Sequence, residues 1–367
     1  MMRNGIKKIG ILTGGGDCPG LNAVIRAITR TAILQYDLEV VGFLFGYRGL
    51  YKNDKIKLDL NAVSGIQHRG GTIIYSSNKD NLFDYPVEEN NVIVKKDVSD
   101  VAIDNIKKEG IDAMIIIGGD GTLTSARDFA RKGLKVIGVP KTIDNDLAVT
   151  DITFGFNSAV EVATYALNHL HTTAESHHRV MILEVMGRNT GWIALESGIA
   201  GSADVILIPE IPYKLDNIIK KIKEREANGK LFSIIVISEG AAPLGGEKVI
   251  QRIVPDSPDP IRLGGIGAKL AAELEAAIYP YEVRCTILGH IQRGGSPTTF
   301  DRILSTRYGV AAVELLNEGL FGNMVCIKDG KIAYEHLENV IGRIKSVNPQ
   351  GELVKVAKSL GISFGDD

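Results

Sequence analysis

Three things are scarce in this 367-residue chain, and each scarcity removes a class of protein. Cysteine occurs three times, at Cys18, Cys285 and Cys326, far apart and without a CxxC pair. That excludes a disulfide framework and a cysteine zinc site and leads us to expect reduced thiols in a cytoplasmic protein. No apolar run approaches the ~20 residues needed to span a bilayer. The first residues lead into a strand without a signal-peptide h-region, so the cytoplasm is the expected compartment. Net charge is scarce too: 42 basic against 44 acidic residues leave −2. Without a global basic field, neither nucleic acid nor an anionic membrane is expected as the main partner.

What the chain does contain is a normal globular composition, 44% hydrophobic and 23% charged, over a length that favours two domains. Short apolar runs alternate with helical spacing of apolar residues. Strands are expected at Lys8–Thr13 and at 40–45, 113–117, 136–139, 179–185, 205–209, 233–238 and 286–288, with a helix from Leu21 to Leu34. Runs such as Met114-Ile115-Ile116-Ile117 suit strands covered on both faces, and strands alternating with helices imply parallel βαβ units. The fold class expected is α/β, doubly wound. Residues 68–86, rich in Gly, Ser and Asn, read as a long surface loop, and residues 241–265, with four prolines, as an excursion before a helix near Ile266.

Glycine is abundant, at 41 residues, and its clusters follow the apolar runs. The first is Thr13-Gly14-Gly15-Gly16-Asp17-Cys18-Pro19-Gly20, leading into the Leu21 helix. Glycines let backbone approach a phosphate, and a helix N-terminus offers unpaired N–H groups, although a ligand-free strand-to-helix turn explains the string as well. It is neither a Walker A loop nor a GxGxxG fingerprint. The second is Gly118-Gly119-Asp120-Gly121-Thr122. Asp120 beside phosphates makes sense as a Mg²⁺ contact, the alternative being a helix N-cap. The third is Pro140-Lys141-Thr142-Ile143-Asp144-Asn145-Asp146. It is either an ordinary polar loop or what phosphoryl transfer to a hydroxyl needs: a carboxylate to take the proton, a second to orient it or hold metal, and a cation.

Taken in order, LTGGGDCPGLN, IIIGGDGT, PKTIDND, EVMGRNTGW and GHIQRGGSP resemble the bacterial-type 6-phosphofructokinases from about Ile9 to about Lys358. GGDGT alone is shared with NAD kinases and diacylglycerol kinases; PKTIDND together with MGR and GHIQRGGSP is far more specific. The resemblance implies two Rossmann-like parallel-sheet domains with the active site in the cleft between them, the Asp144 loop facing the Asp120 turn across a metal-bridged gap. It assigns residues 1–155 plus about 292–342 to a donor domain binding ATP and Mg²⁺. About 156–291 plus 343–367 form a fructose 6-phosphate domain.

The resemblance also implies roles. Asp144 matches the catalytic base, supported by Asp146, Thr142 and Lys141. Asp120 matches the Mg²⁺ contact, and Gly15, Gly119, Gly121 and Thr122 the donor-phosphate turns. Met186, Gly187, Arg188 and Glu239 match sugar contacts. Arg284, His290 and Arg293 match the 6-phosphate group and Arg179 a further substrate contact, with Arg179 and Arg284 reaching in from a neighbouring subunit of a homodimer or homotetramer. Arginine's planar fork suits phosphate without any appeal to family. Read alone, Arg179 is a surface or capping residue and His290 a structural histidine.

Phosphoryl donors divide this family between ATP and pyrophosphate. Gly121 stands where pyrophosphate users carry a second Asp and leaves room for the nucleotide; Lys141 stands where ordinary bacterial ATP enzymes have glycine. The combination resembles a mixed-substrate branch and makes ATP the expected donor, pyrophosphate the alternative. Asn78 replaces a nucleotide-contacting arginine, with Lys79 beside it. Arg26, Arg30 and Lys230 match effector-site positions, but His171 replaces an arginine, so weak or absent control by ADP and phosphoenolpyruvate is expected. The competing readings are a NAD-kinase-like enzyme, a non-catalytic sugar-phosphate-binding regulator, and an oxidoreductase, for which no acidic ribose contact is evident.

Overall fold

The computed structural model describes residues 2, 5–89, 92–254 and 260–366. Its strands in chain order begin with β1 (Lys8–Thr13), β2 (Glu39–Phe43), β3 (Lys55–Lys57), β4 (Tyr85–Glu89), β5 (Val92–Lys96) and β6 (Ala113–Gly118). Next come β7 (Val136–Thr142), β8 (Phe154–Gly155), β9 (Val180–Val185), β10 (Val205–Leu207) and β11 (Ser233–Ser238). The last are β12 (Ile250–Ile253), β13 (Ile261–Leu263), β14 (Val283–Ile287), β15 (Asn323–Lys328) and β16 (Lys331–His336).

The chain divides into two compact units. The first comprises residues up to Ile143, Leu147–Gly155 and Arg293–Ile344; the second comprises Asp144–Asp146, Phe156–Gln292 and the chain from Lys345 onward. The three residues Asp144–Asp146 therefore pack with the second unit, although they lie within 1–155 in the sequence.

In the first unit the sheet runs β16-β15-β7-β6-β1-β2-β3, with β8 beside β7. Its central strands are parallel, and β3 and β16 close the two edges antiparallel. Strand β6 is buried along its whole length, and its isoleucines, β-branched and stiff at χ1, suit a pleated surface covered on both faces. One sheet face packs a core including Leu12, Phe43, Met114, Ile116 and Phe129. From β1 the chain moves to one side, to β2, and later returns to the other side of β1 as β6. The switch point thus lies between the carboxyl ends of β1 and β6, the place where doubly wound sheets bind ligands.

The second unit repeats this logic with four parallel strands, β10-β11-β9-β14. Its core gathers Ile182, Leu207, Ile235, Ile237, Leu270 and Leu274. From β9 the chain goes outward to β10, returns as β11, and then crosses to β14, so the switch point lies between β9 and β14.

Several boundaries differ from those read in the sequence. The strand placed at 136–139 continues through Thr142, because Lys141 and Thr142 pair with Phe154 and Gly155. The strand placed at 286–288 is β14, starting three residues earlier; its amino half carries Arg284, so it lacks the apolar run that marks a buried strand. The 205–209 strand stops at Leu207 and the 40–45 strand is Glu39–Phe43. The first helix runs to Tyr36. The loop placed at 68–86 ends two residues into β4, at Pro86. The 241–265 excursion contains the hairpin β12–β13, although residues 255–259 of that segment lie outside the described residues.

Candidate active site

In the first unit three turns meet at the carboxyl ends of β1, β6 and β7. Gly14 N–H donates to the Ile117 carbonyl (2.9 Å), which ties the first turn to the second. Gly15 has φ +78°, a left-handed conformation that a side chain resists. Its N–H donates to the Ser77 carbonyl (2.9 Å) and its own carbonyl accepts from Ser76 Oγ (2.5 Å). A Cβ on Gly15 would sit 3.4 Å from Lys141 Nζ and 3.5 Å from Thr122 Oγ1, so those three residues line one small space. The Lys141 ammonium donates to the Gly16 carbonyl, and Lys141 is almost fully buried. Gly119 lies against the Lys141 carbonyl, 3.4 Å from where its Cβ would be.

Asp120 and Gly121 open the helix Asp120–Arg131, both exposed. Asp120 Oδ1 accepts the Gly342 N–H (3.2 Å). Around Gly121 nothing lies within 4 Å of a Cβ position. Asn78 and Lys79 are exposed in the loop that covers Gly15, with Lys79 N–H on Ser77 Oγ (3.3 Å). Arg293, which the resemblance groups with His290, donates from Nη1 to the Asp17 carbonyl (3.3 Å). Its guanidinium lies 2.6 Å from where a Gly16 Cβ would be, so the Arg293 side chain lies against the first glycine turn.

In the second unit the two turns flanking the switch point are 186–191 after β9 and 289–292 after β14. Gly187 adopts φ +130°, and a Cβ there would be 2.6 Å from both the Thr190 carbonyl and Ser238 Oγ. Only glycine lets Met186 and Arg188 take their places on either side. Glu239 leaves β11 beside this turn, its N–H on the Val185 carbonyl (2.9 Å), while Ser238 Oγ donates to the Gly187 carbonyl. Burial holds the Arg188 pKa below the ordinary arginine value; the charge of Arg262 adds to this and that of Glu239 opposes it. His290 is exposed on the short 3₁₀ turn Gly289–Arg293.

Gln292 escaped the sequence reading and is fully buried between the two turns. Its Oε1 accepts the Met186 N–H (3.2 Å) and its Nε2 donates to the Gly289 carbonyl (3.1 Å). A glutamine inside GHIQRGG looks like another polar loop residue, and only its burial marks it as the clamp.

Burial along 141–147 alternates: Lys141, Ile143, Asn145 and Leu147 are buried, whereas Thr142, Asp144 and Asp146 are half-buried. Both aspartates are thus partly open to solvent, with Asn145 at φ +51° between them, a conformation asparagine tolerates better than most residues. Asp144 carbonyl accepts Thr190 Oγ1 (3.1 Å).

Arg179 and Arg284 are not brought to these turns. Arg179 precedes β9 and Arg284 is the second residue of β14, at the amino ends of strands whose carboxyl ends carry Met186 and His290. At ~3.3 Å per residue Arg179 lies roughly 20 Å, and Arg284 roughly 10 Å, from the carboxyl end of its strand. Both engage Glu282, Arg179 Nε at 2.6 Å and Arg284 Nη2 at 3.2 Å. Of the effector positions, Arg26 and Arg30 lie half-buried on the first helix, and His171 donates from Nε2 to the Gly201 carbonyl (2.7 Å).

No group of three His, Cys, Asp or Glu side chains among the described residues is placed to hold a metal. An exposed single carboxylate at a helix N-terminus beside a phosphate turn fits a cation that keeps most of its waters and is shared with the substrate's phosphates, the habit of Mg²⁺. No described helix is long and apolar enough to cross a membrane.

Glycine turns at the switch points of two parallel sheets define a class: an α/β scaffold suited to phosphorylated ligands. The chain belongs to the phosphofructokinase family, whose model matches residues 8–316. It is 71% identical over 366 residues, all of both chains, to an ATP-dependent 6-phosphofructokinase 2 of Clostridium perfringens. It is 47% identical over 362 residues, 98% of each, to an ATP-dependent 6-phosphofructokinase of Chloroflexus aurantiacus. Among solved structures, the T-state phosphofructokinase of Pichia pastoris superposes with TM-score 0.76 at 32% identity, covering 99% of this chain, which spans 37% of that longer one. A pyrophosphate-dependent phosphofructokinase of Nitrosospira multiformis shares the fold (TM-score 0.80, 20% identity, 98% of this chain, 92% of the other).

Proposed function

We propose that this protein is an ATP-dependent 6-phosphofructokinase of glycolysis, phosphorylating fructose 6-phosphate at O1 to fructose 1,6-bisphosphate. The observation that carries the reading is the PKTIDND segment, which leaves Asp144 and Asp146 half-buried while the Thr190 hydroxyl holds the Asp144 carbonyl. This set suits proton removal from a sugar hydroxyl.

In the mechanism, Asp144 takes the proton from the 1-hydroxyl as that oxygen forms its bond to the γ-phosphorus, and the bridging P–O bond breaks to release ADP. Asp146 and Thr142 orient Asp144 and the acceptor. Met186, Gly187, Arg188 and Glu239 hold the sugar, with the Glu239 carboxylate accepting hydrogen bonds from its hydroxyls; His290 and Arg293 bind its 6-phosphate. The backbone of Gly15, Gly119, Gly121 and Thr122 lies along the donor phosphates, with Asn78 and Lys79 towards the nucleotide. Asp120 holds the cation, Mg²⁺, which when bound supplies charge compensation on the β- and γ-phosphates.

Donor choice follows from two residues. Open space at Gly121 admits a nucleotide, and the Lys141 ammonium at the Gly15–Gly16 turn adds positive charge beside the phosphates. The pair is the pattern of a mixed-substrate branch, read here as using ATP. Residues 1–155 with about 292–342 make the donor domain, the remainder the sugar domain, with Asp144–Asp146 contributed to the latter. Arg179 and Arg284, standing at the far end of their own sheet, serve the site of a second copy in a homodimer or homotetramer. The enzyme works in the cytoplasm, with weak or absent control by ADP and phosphoenolpyruvate.

The test is Asp144→Asn in the full chain. Turnover falls by at least about a thousandfold, as expected for loss of a general base, while fructose 6-phosphate still binds by calorimetry. An unchanged rate overturns the assignment.

A further inference from the structure

The main chain of Asp144–Asp146 is pinned from outside its own loop. The Asp146 carbonyl accepts the Lys345 backbone N–H (2.8 Å), and Asn145 Oδ1 accepts Lys345 Nζ (2.8 Å). Lys345 is itself fixed on three sides. Its ammonium lies 5.8 Å from the centre of the Trp192 ring, and Trp192 Nε1 donates to the Lys345 carbonyl (2.6 Å). Two residues on, Val347 N–H donates to Glu210 Oε1 (2.8 Å), and the Glu210 carboxylate also receives the Gly191 N–H (3.1 Å to each oxygen). Gly191 in turn sits between Thr190, which bonds the Asp144 carbonyl, and Trp192. The carboxylate of Glu196, whose pKa burial raises and Lys345 pulls back, completes the surroundings.

We propose that Lys345 is a positioning residue for phosphoryl transfer, setting Asp144 and Asp146 through the Asn145 amide; the assignment rests on the reading of Asp144 as the base. The physical argument is one of leverage. Asn145 holds φ +51° between the two acids, so the torsions on either side of it decide where both carboxylates point. A charge-assisted hydrogen bond from its ammonium to the Asn145 side chain gives Lys345 a direct grip on this segment. A tilt of about 1 Å in a reacting group can cost on the order of a hundredfold in rate. The backbone bonds of Lys345 to Asp146 and Trp192 survive any substitution at 345, so the side chain's effect can be isolated.

The experiment compares the full-length wild type with Lys345→Met, Lys345→Arg, Asn145→Gly and the Lys345→Met/Asn145→Gly pair, using fructose 6-phosphate and MgATP. Asn145→Gly keeps the positive φ while removing the acceptor, and it carries the same prediction should Lys345→Met fold poorly. For Lys345→Met, kcat falls about tenfold to a hundredfold and the KM for ATP stays within about twofold. Lys345→Arg, which can stack on Trp192 and donate to Asn145, recovers most of the rate. The pair is no slower than Asn145→Gly alone, because both changes break one contact. Trp192 is the only tryptophan in the chain, so its emission reports the contact directly. It changes in Lys345→Met and returns in Lys345→Arg. Altered emission with kcat within about twofold of wild type overturns the positioning role alone. Absence of wild-type turnover overturns the reading of the site and this assignment with it.

Discussion

An aspartate at position 121 separates folding from donor binding on a single residue. Gly121 is the second residue of the helix Asp120–Arg131, its φ is not positive, and no atom lies within 4 Å of the Cβ it would gain. The new carboxylate gains about 0.3–1 kcal/mol from the helix N-terminus. Repulsion from Asp120 at ~6 Å in water costs about 0.7 kcal/mol, so the two nearly cancel. A Tm within about 2 °C of wild type follows. The cost to the donor is larger. One charge ~4 Å from a nucleotide phosphate, at an effective dielectric near 20, is worth about 4 kcal/mol, close to a thousandfold in kcat/KM for ATP. The assay is steady-state turnover with ATP and with pyrophosphate beside a thermal melt. A fold-neutral variant with kcat/KM for ATP within about threefold of wild type refutes the placement of the donor at this turn. A Tm loss above about 5 °C refutes the reading of position 121 as open space.

Other predictions bear on different parts of the molecule. Gly187→Ala forces a side chain into φ +130° and against the Thr190 carbonyl; it destabilises by about 2–3 kcal/mol and raises the KM for fructose 6-phosphate, measured by denaturant unfolding and kinetics. Gln292→Ala leaves the Met186 N–H and Gly289 carbonyl without their partner and costs about 1–3 kcal/mol, with sugar binding weakened more than ATP binding. Burial pushes the Cys18 and Cys285 thiols up to about 12 and Cys326 to about 11. Folded pKa values above the ordinary 9.0 mean that this contribution to stability is complete below pH ~9 and is lost as pH rises from there towards 11–12. Stability measured by urea titration should therefore fall across that window, and a thiol reagent at pH 8 should label native protein far more slowly than unfolded protein.

The parts of the fold that were legible in the sequence are those where burial is two-sided. Ala113–Gly118 is buried at every position, and its apolar run marks the strand to within a residue. Leu21–Tyr36 shows helical spacing because one face is packed. Strands with little burial were illegible: Ile250–Ile253 is exposed throughout, and Lys331–His336 lies at a sheet edge with alternate residues in water. They form because the backbone pairs, and side-chain patterning carries no trace of that. The glycine turns could be picked out because each follows a buried run. Thr190, Gln292 and Lys345 could not, since a polar residue that bonds a segment 46 or 200 positions away leaves no local signal.

The central claim is tested most directly by giving the purified protein fructose 6-phosphate and Mg²⁺ with ATP or pyrophosphate in parallel and measuring fructose 1,6-bisphosphate. The account predicts rapid formation with ATP, little with pyrophosphate, and at least about a thousandfold less with ATP for Asp144→Asn. No bisphosphate from the wild type with either donor contradicts it.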